Sequence, residues 1–78
     1  MAERRLGVAI HGAGSVARAH VASWLKIPRA EIVSVSSRRL ESAKRLVAEF
    51  QLDCAATDDY AAVLRDKRVD VVNISGVY

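Results

Sequence analysis

A chain of 78 residues holds at most one small domain with a marginal core of its own, so this sequence reads as an incomplete unit. About half of it is hydrophobic (51%) and about a quarter charged (27%), which excludes a disordered or fibrous chain. The net charge of +3 comes from basic residues interspersed with acidic ones, which argues against nucleic acid as a partner.

No apolar run approaches the roughly 20 residues of a membrane span. The opening Met1-Ala2-Glu3-Arg4-Arg5 has no apolar signal core behind it, so no membrane partner is expected and the cytoplasm is the expected compartment. Cys54 is the one cysteine, so no internal disulfide forms, and in "DCAAT" it reads as a packed thiol.

Leu6 to His11 is a short, nearly continuous apolar run with β-branched residues, the pattern of a strand buried on both faces. Two glycines, Gly12 and Gly14, follow at once. From Ser15 to about Ile27, Val16, Ala17, Val21, Trp24 and Leu25 recur at helical spacing, and Pro28 marks the stop. Glu31 to Ser36 ("EIVSVS") predicts a second strand. Leu40 to Phe50 predicts a second helix with Ala43, Leu46, Val47 and Phe50 on one stripe. Cys54 to Ala56 has room for a brief third strand. Thr57 or Asp58 is placed to cap a third helix running to about Asp66, with Tyr60, Ala61, Val63 and Leu64 facing inward. Val69 to Ser75 ("VDVVNIS") closes the series as a fourth strand.

Strands alternating with helices of about ten residues imply parallel pairing with right-handed crossovers. The expected fold is therefore α/β: a doubly wound, Rossmann-type half-sheet (βαβαβαβ) with strand order 3-2-1-4. There is no internal repeat, low-complexity stretch or linker, and residues 1–78 form one domain.

The motif Gly12-x-Gly14-x-x-Ala17 lies between the first strand and the first helix, the context that gives this spacing meaning. Gly12 permits a tight turn, Gly14 lets a pyrophosphate approach the backbone, and small Ala17 lets helix and strand pack closely. The helix amino end then offers N–H groups and partial positive charge to phosphates. A plain strand-to-helix turn is the alternative, but it needs no second glycine.

The second strand ends in Ser36-Ser37-Arg38-Arg39. An acidic residue there would bind the ribose 2′-hydroxyl of NAD, and an arginine accommodates the 2′-phosphate of NADP. No carboxylate is present, and Arg39 stands where a helix prefers Ser, Asp or Asn as cap. Ser37 and Arg38 therefore point to NADP in preference to NAD, with a solvated basic helix start as the alternative. No metal site is expected. His20 reads as a packing or locally hydrogen-bonded side chain, while His11 precedes the turn within possible reach of a cofactor.

With "GVAIHGAGSVARAH", "EIVSVSSRRLESAKRLVAEF" and "ATDDYAAVLRDKRVDVVNIS" in this order and spacing, the sequence resembles the Gfo/Idh/MocA family of glucose-fructose oxidoreductase, inositol dehydrogenase and rhizopine-catabolism oxidoreductases. The resemblance implies an NAD(P)-dependent oxidoreductase acting on a sugar, polyol or related hydroxy compound. It implies an amino-terminal dinucleotide domain, which this chain supplies in part, and a carboxy-terminal substrate domain, which it lacks. By position it puts Gly12, Gly14, Ser15 and Val16 at the pyrophosphate, Ser37 and Arg38 at the adenosine ribose with Arg39 sharing the charge, and Ser75 and Gly76 where the cofactor crosses the fourth strand.

The chain departs from the family at Gly76-Val77-Tyr78, where a Thr-Pro-Asn-type loop is usual. The family's Glu-Lys-Pro motif, with its catalytic lysine, has no counterpart. No catalytic residue is thus assigned, and the 78 residues alone are expected to be inactive. The expected partners belong to the parent protein: a small-molecule substrate and further copies of itself. A non-catalytic nucleotide-binding or redox-sensing module is the competing function.

Overall fold

The computed structural model describes residues 5–75. Its elements in chain order are β1 (Leu6–His11), α1 (Ser15–Leu25), β2 (Ala30–Ser36), α2 (Leu40–Glu49), β3 (Ala55–Thr57), α3 (Tyr60–Arg65) and β4 (Val71–Ile74). The strands form one parallel sheet in the order β3-β2-β1-β4. This is the expected Rossmann-type α/β half-sheet.

β1 lies inside the sheet because its residues tolerate burial on both sides: Val8, Ala9 and Ile10 are fully buried. Val8 and Ile10 join Ile32 and Val35 of β2, Ala17 and Val21 of α1, and Ala43 and Leu46 of α2 in one apolar cluster. Strict alternation along β2 would put Ile32 and Val35 on opposite faces. The β1–β2 register shifts between Val8 and Ala9, so that Val8 pairs with Ile32 but Ala9 pairs with Ser34. Val33 is the extra residue of this irregularity, and passing over it returns Val35 to the cluster.

Several boundaries and facings differ from the sequence reading; β2 begins one residue earlier, at Ala30, and α2 ends one residue earlier, at Glu49. α1 stops at Leu25 because Lys26 and Ile27 donate to the carbonyls of Ser23 and Trp24, tightening the last turn before Pro28. β3 lies one residue later than expected. The cap of α3 is Asp59, which accepts from the Ala62 N–H at 3.0 Å; Thr57 instead accepts from the Asp59 N–H, and Asp58 is not the cap. Of the four α3 residues expected to face inward, Tyr60 and Val63 do so, one i, i+3 pair, while Ala61 and Leu64 are exposed.

β4 starts at Val71, two residues late, because residues 66–70 form a tight connection back to β1. Val69 donates to the Asp66 carbonyl, Asp70 donates to the Gly7 carbonyl at 2.8 Å, and the Gly7 N–H donates to Asp70 Oδ2 at 2.7 Å. The Arg68 guanidinium bonds Asp66 Oδ2 at 2.7 Å and holds that carboxyl down at about 2. An added Cβ at Gly7 would overlap the Arg68 carbonyl, so the connection runs over a position that admits no side chain.

Candidate functional site

Because β1 and β2 are adjacent and parallel, the turns that follow them emerge side by side at the carboxyl edge of the sheet. Between them lies a cleft of about 360 Å³. Gly12, Gly14, Ser15 and Val16 line one side of it, and Ser37, Arg38 and Arg39 the other, with Ser75 at its margin. All the site residues singled out from the sequence thus meet in one place, except Gly76, which lies outside the described residues. His11, Ala13 and Ser42 also line it. Ser42 follows Arg39 by one helical turn, and that i, i+3 spacing was the available signal for it.

Gly12 has φ of 111°, a conformation that L side chains rarely adopt. Its N–H donates to the Ser36 carbonyl at 2.8 Å, which ties the glycine turn to the end of β2. Gly14 is the N-cap of α1, with ordinary extended backbone and no side-chain cap. A Cβ added at Gly14 meets nothing within 4 Å, so protein packing does not require glycine there. Open space beside the backbone is what the missing side chain preserves.

The first bond of α1 joins the Arg18 N–H to the Gly14 carbonyl, so the N–H groups of Ser15, Val16 and Ala17 precede the helical ladder. The first turn carries no acidic residue. Ala17 is fully buried in the core cluster and brings the helix close to the strand. Opposite, Arg39 caps α2 without a side-chain bond, leaving a second helix amino end beside two arginines, with Glu41 in its first turn outside the cleft lining. Among the described residues lining the cleft there is no carboxylate. The donor set suits a ligand with two separated anionic groups, and a dinucleotide phosphate fits it.

Two histidines flank this site in different ways. His11 stacks on Tyr60 of α3, with ring centroids 4.1 Å apart, and its Nδ1 lies 2.8 Å from Ser36 Oγ. His20 does not line the cleft; its Nδ1 lies 2.8 Å from both Ser75 Oγ and Asn73 Nδ2, so it is a locally hydrogen-bonded side chain. Asn73 was not singled out from the sequence, because two of its partners, His20 and Trp24, lie on α1.

Cys54 packs against the core cluster away from the cleft. Burial, reinforced by the Asp53 charge, pushes its thiol up to about 11. Among the described residues, no group of three or more His, Cys, Asp or Glu is placed to hold a metal, and no helix is long and apolar enough to cross a membrane. A groove of about 350 Å³ at the opposite end of the sheet mixes apolar residues such as Leu25, Ile27 and Phe50 with the charged Arg5, Glu31 and Asp53 and lacks the glycine turn.

Residues 6–76 match the Gfo/Idh/MocA family, described as an oxidoreductase family with an NAD-binding Rossmann fold. The chain belongs to this family. Among solved Gfo/Idh/MocA-like structures, it is similar to the myo-inositol dehydrogenase of Lactobacillus casei in complex with NAD(H) and myo-inositol, at 29% identity and a TM-score of 0.80, over 90% of this chain and 21% of that one. It is similar to GenD2 from gentamicin A biosynthesis in complex with NAD, at 26% identity and 0.82, over 95% and 21%. It is also similar to KijD10, a 3-ketoreductase from Actinomadura kijaniata in complex with NADP, at 26% and 0.78, over 88% and 22%. The chain spans about a fifth of the length of these structures. No curated protein matches it.

Proposed function

We propose that the chain is the cofactor-binding part of an NAD(P)-dependent oxidoreductase that transfers a hydride to or from a sugar, polyol or related hydroxy compound, and that NADP(H) is its preferred cofactor. The single observation that carries this reading is the convergence of the Gly12–Val16 turn and the Ser37–Arg39 segment on one cleft whose described lining holds two arginines and no carboxylate. The dehydrogenase and ketoreductase among the similar structures support the reaction class.

In this reading the N–H groups at the start of α1 bind the pyrophosphate, and Gly14 leaves room for it. Ser37 and Arg38 hold the 2′-phosphate, with Arg39 adding charge across the same edge. Hydride transfer is the chemistry that the dinucleotide supplies when bound. The substrate site and the acid–base groups come from the rest of the protein: His11, the one described lining residue with acid–base chemistry, is engaged by Ser36 Oγ and the Tyr60 ring.

The test is titration of NADPH and NADH into the wild type, Arg38→Ala and Ser37→Asp. A charge-assisted bond to the 2′-phosphate is worth about 1.5 to 3 kcal/mol, so Arg38→Ala weakens NADPH by about ten- to a hundredfold and leaves NADH nearly unchanged. Ser37→Asp shifts preference further toward NADH, because the new carboxylate repels the phosphate and accepts from the ribose hydroxyl. A wild-type preference for NADH defeats the cofactor assignment, and equal losses for both cofactors in Arg38→Ala mean that the arginine does not read the phosphate.

A further inference from the structure

Trp24, His20, Asn73 and Ser75 link α1 to β4 beside the cleft, and only Ser75 borders it. The indole N–H can only donate, and Trp24 Nε1 donates to Asn73 Oδ1 at 3.2 Å. This orients the carboxamide, so its NH2 faces Ser75 Oγ at 2.6 Å and His20 Nδ1 at 2.8 Å. An amide NH2 has only hydrogens to offer. His20 Nδ1 must therefore present its one lone pair, shared between the Asn73 NH2 and the Ser75 hydroxyl 2.8 Å away, and the ring proton resides on Nε2.

We propose that this chain of bonds is a latch that fixes the placement of α1, and so of its cleft-lining first turn, against the end of β4, with His20 as a positioning residue acting through Ser75. The proposal rests on the dinucleotide reading above. Ser75 is 5% exposed, and its backbone N–H also donates to the His11 carbonyl at 2.7 Å, so β1 and α1 both fix it. The helix at the other end of the latch is α1, whose first turn lines the cleft. The latch thus joins the helix that offers N–H donors to the strand end at the cleft's margin. An apolar pair across this gap would hold the two elements with no polar group to satisfy, whereas a network with one satisfied arrangement fixes one geometry.

The experiment uses the full chain, with the ring nitrogens of His20 read by 15N NMR and NADPH affinity by titration, each variant first checked for a cooperative melt. Wild-type His20 shows protonated Nε2 and bare Nδ1. Asn73→Asp replaces the donor with an acceptor and moves a proton to Nδ1. His20→Leu weakens NADPH about three- to tenfold, the loss of about one buried hydrogen bond, and His20→Asn, which returns an acceptor near the place of Nδ1, recovers most of that affinity. Should His20→Leu not fold, Asn73→Asp carries the same affinity measurement. A proton on Nδ1 in the wild type overturns the latch, as does wild-type NADPH affinity in a folded variant lacking it. A wild type that binds neither NADPH nor NADH overturns the dinucleotide reading, and the positioning role at the cleft falls with it.

Discussion

Gly7 and Gly14 are glycines for opposite reasons, and substitution separates them. At Gly7 a methyl group runs into the backbone of Arg68, which cannot swing aside as a side chain can. Gly7→Ala is expected to cost about 1 to 3 kcal/mol in a denaturant melt, the penalty of forced overpacking. At Gly14 the methyl meets no protein atom. Gly14→Ala should leave the melt within about 1 kcal/mol of wild type while weakening NADPH about tenfold or more, equivalent to about 1.4 kcal/mol in binding. Gly14 was singled out in the sequence because its spacing to Gly12 and Ala17 is local. Gly7 was not, since its bonded partner Asp70 lies 63 residues along the chain. Cys54 offers a third test at this scale: with its thiol pushed up to about 11, the group is neutral from pH 7 to 9 and becomes thiolate only well above that. Alkylation by iodoacetamide at pH 8 should be far slower in the folded chain than in urea, and equal rates would mean that Cys54 is not packed.

The elements differ in how much of their placement local sequence could supply. β1, α2 and the start of α1 were legible because a continuous apolar run, an amphipathic stripe and a glycine turn are signals carried within a few residues. α3 was harder, because Thr57, Asp58 and Asp59 all offer side-chain oxygens and the choice among them depends on where the chain leaves β3. With Asp59 bonded to the Ala62 N–H, Asp59→Ala should cost about 0.5 to 2 kcal/mol, while Asp58→Ala stays near neutral. A thermal melt of the two variants distinguishes them, and equal losses would remove Asp59 as the cap. The β2 irregularity was not legible at all. Nothing local to Glu31–Ser36 says that Val33 is passed over; the register with β1 decides it.

Across the whole molecule, the sheet has β4 at one edge among the described residues, and Ile74 there is 50% exposed. An apolar strand with unpaired N–H and C=O groups is a template for another strand. The 78-residue chain is expected to self-associate at micromolar concentration, and Ile74→Lys to shift it toward monomer in size-exclusion chromatography. A monomeric wild type with a cooperative, high-temperature melt would count against this. The sheet order has another effect, on the order in which the fold can be built. Of the four described strands β1 is synthesised first, yet its second neighbour is the fourth, with the Gly7–Asp70 bond closing a span of 63 residues. At roughly 5 to 20 residues per second, translation leaves that flank of β1 bare for several seconds. Throughout that interval the nascent chain offers chaperones an extended apolar segment, and β1 is flanked on both sides only once β4 has emerged.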